Sequence, residues 1–133
     1  MNEKEVIEEL IRKSFLNGAL NELNVNDMDQ GFHPDFNILI PQQNNLFKLP
    51  LDMWKNVVME YKTNPEKNQT KLREVDYKLT VLDITDAAAV VKVELFRDDI
   101  QLSTDFISLI KFPNGWKAVA KVSNEHVPNP FNL

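Results

Sequence analysis

Residues 101–123 read QLSTDFISLIKFPNGWKAVAKVS. Two long runs of strand-forming residues flank Phe112-Pro113-Asn114-Gly115-Trp116, which has the turn chemistry of a β-hairpin. An outgoing strand is expected from Gln101 to Phe112 and a return strand from Trp116 to Ser123. Upstream, Ala89, Val91, Val93 and Leu95 alternate with Val90, Lys92, Glu94 and Phe96, and Val75, Tyr77, Leu79 and Val81 alternate with Asp76, Lys78 and Thr80. Turns over Asp83 to Asp86 and over Arg97 to Asp99 join these runs into a meander.

The first half has a different period. Val6, Ile7, Leu10, Ile11 and Phe15 share one helical face, with Asn2 as N-cap and Glu5 beside it. Gly18 and Ala19 let another backbone or a ligand come close to this helix. Asn24 and Asn26 are cap candidates for a short helix that Gly31 is expected to end in the left-handed conformation. Phe32-His33-Pro34-Asp35 reads as a turn, residues 36–40 as a strand stopped by Pro41, and residues 42–45 as a polar loop. Trp54, Val57, Val58 and Tyr61 then recur at helical spacing, bracketed by Pro50 and Pro65. Three helices followed by adjacent long strands exclude a doubly wound sheet, which needs helices between its strands. The expected class is α+β: a curved antiparallel sheet with three N-terminal helices on its concave face. Several strands are apolar on both sides, so a homodimer through sheet faces is expected to cover the second.

The chain has 133 residues, a size that fits a single domain over 1–133 with 124–133 as an irregular tail. Its 43% hydrophobic and 26% charged content is that of an ordinary folded protein. Cysteine is absent, which removes disulfides and thiolate chemistry and fits a cytoplasmic setting. Charges throughout residues 1–13 leave no apolar signal core, and the apolar runs are far shorter than the ~20 residues of a bilayer span. No membrane association is expected. A net charge of −5 and scattered lysines argue against nucleic acid as a partner. There is no His-Glu-x-x-His, Gly-rich phosphate loop, Gly-x-Ser-x-Gly or Cys-His pair, so no metal and no cofactor is expected.

Two residues are candidates for acid/base chemistry. His33 lies where helix gives way to strand, with Asp35 two residues on, and an imidazole held by a carboxylate can act as a general base. The competing reading is a solvated turn residue. His126, in the tail, has less to suggest it. Asp105 sits among Phe106, Ile107, Leu109 and Ile110, and a desolvated carboxylate suits proton transfer. Its direction depends on the hairpin register. A three-residue loop, Pro113-Asn114-Gly115, puts Asp105 on one face with Lys121. A four-residue loop from Phe112 to Gly115 puts it with Trp116, Ala118 and Ala120. Trp54, Tyr77, Phe36 and Phe47 could form the aromatic wall of a pocket, or simply core.

Phe32-His33-Pro34-Asp35 after a helical hairpin, residues 86–93 (DAAAVVKV), 105–111 (DFISLIK) and 115–121 (GWKAVAK) occur in an order that resembles a known family. It is the putative lumazine-binding branch of the NTF2-like (SnoaL/ketosteroid-isomerase-like) superfamily. The resemblance implies a cone-shaped α+β barrel, a pocket at the open end of the cone for a small apolar or heteroaromatic ring, and frequently a homodimer. It makes Phe15, His33, Phe36, Trp54, Tyr77, Asp105 and Lys121 the candidate ligand-binding residues. In ketosteroid isomerases an acid on the corresponding strand faces the steroid. Phe15 stands where relatives usually have Tyr, so a phenol hydroxyl is missing there. The superfamily holds isomerases, dehydratases and non-catalytic binders alike, so two roles follow from the resemblance. One is small-molecule binding. The other is a cofactor-independent acid/base isomerase or dehydratase.

Overall fold

The computed structural model describes residues 1–69 and 73–131. Helix α1 (Glu3–Ile11) runs on into a π-helical segment (Arg12–Asn21) and is followed by α2 (Val25–Gly31). Strands β1 (Phe32–Gln42) and β2 (Asn45–Pro50) form a hairpin before α3 (Leu51–Thr63) and the short α4 (Pro65–Gln69). The meander comprises β3 (Asp76–Thr85), β4 (Ala88–Arg97), β5 (Ile100–Phe112) and β6 (Gly115–Glu125). One sheet takes all six strands in the order β2-β1-β6-β5-β4-β3. Every pairing is antiparallel except β1 with β6, which is parallel because the intervening helices carry the chain across the sheet. The sheet curves strongly without closing into a barrel, so β2 and β3 remain as edges.

Asn2 and Asn24 form the caps expected of them, while Asn26 lies inside α2. Asn2 Oδ1 accepts the Glu5 N–H at 2.9 Å, and Asn24 Oδ1 accepts those of Asn26 and Asp27 at 3.1 and 3.4 Å. Helix α1 buries Ile7 and Ile11, and its π-helical continuation buries Ser14, Phe15, Leu16, Gly18, Ala19 and Leu20, almost all round. This segment therefore passes through the core. Gly18 does bring a backbone close: a methyl group there would stand 3.1 Å from the Asn24 carbonyl and 3.2 Å from Met28. Gly31 is needed for space and not for a left-handed turn, since a Cβ would lie 2.0 Å from Ser14 Oγ.

Three local expectations need correction. Pro41 does not stop β1, which runs to Gln42 and turns into the edge strand β2. That strand is largely exposed, so it lacks the apolar alternation that marks a half-buried strand. Phe47 belongs to it, paired with Ile40. Residues 32–35 are extended, and the turn expected there is an irregularity in the β1–β6 pairing. Phe32 pairs with Ala118 and Asn37 with Ala120, so five steps on one strand match two on the other. Pro34, unable to donate to a ladder, lies within this gap. Helices α1, α2 and α3 pack on one face of the sheet, against β3, β1 and β6, and β1 and β2 respectively. The core lies between those layers.

Candidate functional site

The β5–β6 ladder determines which side chains meet inside. Near the turn, Phe112 faces Gly115 and Lys111 faces Trp116, so Pro113 and Asn114 form the loop and Gly115 takes φ +117°. Leu109 then faces Ala118, but Ser108 faces Ala120, which leaves Val119 as the extra residue of a β-bulge. Beyond it Ile107 faces Lys121 and Asp105 faces Ser123. The bulge resets the alternation. Trp116 and Ala118 before it, and Lys121 and Ser123 after it, share the helix-covered face with Asp105 and Ile107. Neither expected loop forms, because the turn has two residues; the pairing beside it follows the register of the four-residue alternative, and beyond Val119 that of the three-residue one, with Lys121 rather than Ala120 on the face of Asp105.

Asp105 is 2% exposed, and its Oδ1 lies 3.9 Å from Lys121 Nζ, whose side chain is 11% exposed. That separation is an ion pair but not a hydrogen bond. The ammonium donates to Ser123 Oγ at 2.9 Å and stands 5.5 Å from the Phe15 ring centre and 5.8 Å from that of Trp54, within cation–π range. Around Trp54 the rings of Phe32, Phe36 and Phe15 lie at 5.0, 5.6 and 6.0 Å. All four are buried, so aromatic side chains fill much of the space beside the pair. On the same face of β5, Ser103 is buried, and among the described residues neither its hydroxyl nor the buried Trp116 Nε1 has a hydrogen-bond partner. Buried polar groups are nearly always paired, and unpaired ones mark places where water or a ligand is accommodated.

Five of the seven candidate residues, Phe15, Phe36, Trp54, Asp105 and Lys121, therefore converge. The other two stand apart. Tyr77 lies on the edge strand β3, partly exposed, where its hydroxyl accepts from Arg12 Nε at 3.1 Å. His33 stacks on Phe112 with ring centres 4.8 Å apart, in an open cleft of about 570 Å³ lined also by Phe32, Pro34, Asn114 and Lys117. Its Nδ1 accepts the backbone N–H of Asp35 at 3.0 Å, so the neutral ring carries its proton on Nε2. The Asp35 carboxylate, 94% exposed, is 3.9 Å from that same Nδ1 and has no proton there to accept. The expected imidazole–carboxylate dyad is not formed in the neutral ring. Among the described residues, no group of three His, Asp or Glu side chains is placed to hold a metal ion, and no helix is long and apolar enough to cross a membrane. Sequence reasoning passed over Ser103, which gives no signal in a run of alternating residues until the register is known.

The model of the putative lumazine-binding family matches residues 2–123. The chain belongs to that family. No functionally curated protein matches it. Among solved structures, an NTF2-like protein of unknown function from Shewanella baltica is similar, with 20% identity, a TM-score of 0.66 and 94% of each chain covered. A second NTF2-like protein of unknown function, from Methylobacillus flagellatus, has 22% identity and a TM-score of 0.65, with 96% of each chain covered. A structure described as a putative aromatic ring hydroxylase from Novosphingobium aromaticivorans has 9% identity and a TM-score of 0.59, with 94% of this chain and 90% of that one covered. At these identities the likeness shows the NTF2-like fold alone.

Proposed function

We propose that this family member binds a small, flat, apolar or heteroaromatic molecule beside the Lys121–Asp105 pair. The observation that carries this reading is a buried ammonium and carboxylate 3.9 Å apart, not hydrogen-bonded to each other, against the faces of Phe15 and Trp54. A ring edge bearing an acceptor and a donor would satisfy both groups, while the aromatic wall supplies the apolar contact usual in such sites. Accommodating a ring requires the Phe15, Phe36 and Trp54 side chains to move, because they are packed together. Mass spectrometry of the denatured protein's extract, with thermal shift and calorimetry against flavin precursors, steroids and polyketides, tests the reading. A stabilising ligand that Lys121→Met no longer binds supports it. If no ring compound binds, and a high-resolution structure finds the pair bridged by water alone, the reading fails.

A second reading is favoured by the burial of Asp105, a carboxylate that shares its strand face with Ser103, Ile107 and Leu109. It could serve as the base of a cofactor-independent isomerase or dehydratase. Against this stand the ammonium beside it and the position of His33, whose ring faces Phe112. A Asp105→Asn variant that binds the ligand but loses all turnover would favour chemistry over simple binding.

The same reading takes the protein as a cytoplasmic homodimer. Phe106, paired directly with Val122, and Ile110 project from the face opposite the helices, where they are exposed. A second copy meeting this face would bury them.

A further inference from the structure

The layer that holds Lys121 and Asp105 continues toward one end of the molecule. Four residues beyond Phe15 lies Ala19, and seven beyond Trp54 lies Tyr61, roughly 10 Å further along α3 at 1.5 Å per residue. In the sheet, Val93 faces Asp105 and Leu95 faces Ser103, and Arg97 ends β4. At this end Arg73, 4% exposed, donates to the Ala19 carbonyl from Nε at 3.1 Å and from Nη2 at 3.0 Å. Its guanidinium carbon is 5.4 Å from the centre of the Tyr61 ring and 5.4 Å from that of Phe131. Burial lowers the Arg73 pKa to about 10, with Tyr61 acting in the opposite direction.

Phe131 reaches this place from β6. The His126 N–H donates to the Leu102 carbonyl at 2.8 Å, and His126 Nε2 is 2.8 Å from Thr104 Oγ1. Residues 127–131 then leave the sheet with no helix or strand of their own. Arg97 Nη1 and Nη2 each donate to the Pro130 carbonyl at 3.3 Å, and the Arg97 guanidinium lies 6.0 Å from the Phe131 ring. Long hydrogen bonds, cation–π contacts, the buried Pro130 and the partly buried Val127 and Phe131 are among the contacts that hold this segment, which lacks the ladder that fixes its neighbours. Arg97, which holds the strap at Pro130, also lines an open cleft of about 310 Å³ with Asn21, Val75 and Phe96 among others.

We propose that residues 126–131 form a strap that gates the interior site, with Phe131 as a stopper clasped between the Arg73 and Arg97 guanidiniums. When the strap lifts, the way from the outer cleft leads past Arg73 to the buried Ser103 hydroxyl and then, one pleat deeper, to Asp105 and Lys121. What passes the gate rests on the small-molecule reading above; that the gate opens does not.

The test therefore uses no ligand. In a Trp116→Phe background Trp54 is the remaining tryptophan, and acrylamide quenching of its fluorescence reports access to the interior. Phe131→Ala should raise the Stern–Volmer constant severalfold while thermal unfolding stays cooperative. In the parent, hydrogen exchange at Val127 and Phe131 should be much faster than at Ile107 and Leu109. Trp54 as shielded in Phe131→Ala as in the parent would overturn the proposal. So would strap amides that exchange as slowly as the β5 core, an arm that decides the matter alone if the variant does not fold.

Discussion

Replacing Lys121 by Met removes the ammonium but keeps a long apolar stem against Phe15 and Trp54, so the change falls on the charge pair. At 3.9 Å, two unit charges attract by about 4 kcal/mol at an effective dielectric constant near 20, an attraction set against the cost of burying both. Removing one partner leaves the Asp105 carboxylate buried without compensation, which typically costs about 3–5 kcal/mol. The pair is not hydrogen-bonded and Lys121 keeps some solvent access, which places the loss near the lower end, at about 3 kcal/mol. For a domain of this length that lowers the melting temperature by roughly 10 °C. Asp105→Leu alone should also destabilise, by stranding the ammonium with Ser123 as its hydrogen-bond partner. The double variant Lys121→Met/Asp105→Leu should recover most of the loss, because a well-packed apolar pair can replace a buried ion pair at little cost. Urea unfolding of all four proteins closes a double-mutant cycle, with a coupling of about 3 kcal/mol expected between the sites. Strictly additive costs, with coupling below about 0.5 kcal/mol, would refute the claim that these groups face each other inside the fold.

Two glycines should separate crowding from backbone strain in the same unfolding assay. Gly31→Ala drives a methyl into Ser14 and should cost about 3 kcal/mol, whereas Gly115→Ala has open space and should lose only about 1–2 kcal/mol from its positive φ. Phe106→Glu places a charge at the centre of the exposed apolar face and should convert a dimer into a folded monomer by sedimentation velocity; a parent that is monomeric at tens of micromolar would exclude this interface. Arg73→Met should destabilise by about 1–2 kcal/mol through the orphaned Ala19 carbonyl. Because the Arg73 pKa is lower folded than unfolded, folded protein releases this proton first, and its stability contribution rises with pH from about 10 upward. The parent's advantage over Arg73→Met should therefore widen above pH 10, as read by unfolding at each pH.

Much of this architecture is legible because periodicity records burial. Val6, Ile7, Leu10 and Ile11 mark α1, and the alternation from Ala89 to Leu95 marks β4, since each element has one face in the core. Strand β2 escapes for the converse reason, as an edge that buries little and so leaves little pattern. The π-helical turn is also silent, because a segment buried almost all round has no polar side from which to count.

The site depends on a feature of a third kind. Counting back from the Pro113-Asn114 turn assumes that alternation survives along β6, and the bulge at Val119 ends it. Without that bulge, Val122 would stand opposite Asp105 on the buried face and Lys121 would point to solvent, as hydrophobic patterning by itself prefers. In the folded chain Lys121 is inside and Val122 is about half exposed. One extra residue thus buries a charge beside Asp105 and adds an apolar side chain to the outer face next to Phe106. Both results run against stability in an isolated chain, and local rules are broken in this way mainly where function compensates. The bulge therefore links the two halves of the functional reading, since the residue shift that forms the interior pair also completes the surface on which a second copy would dock.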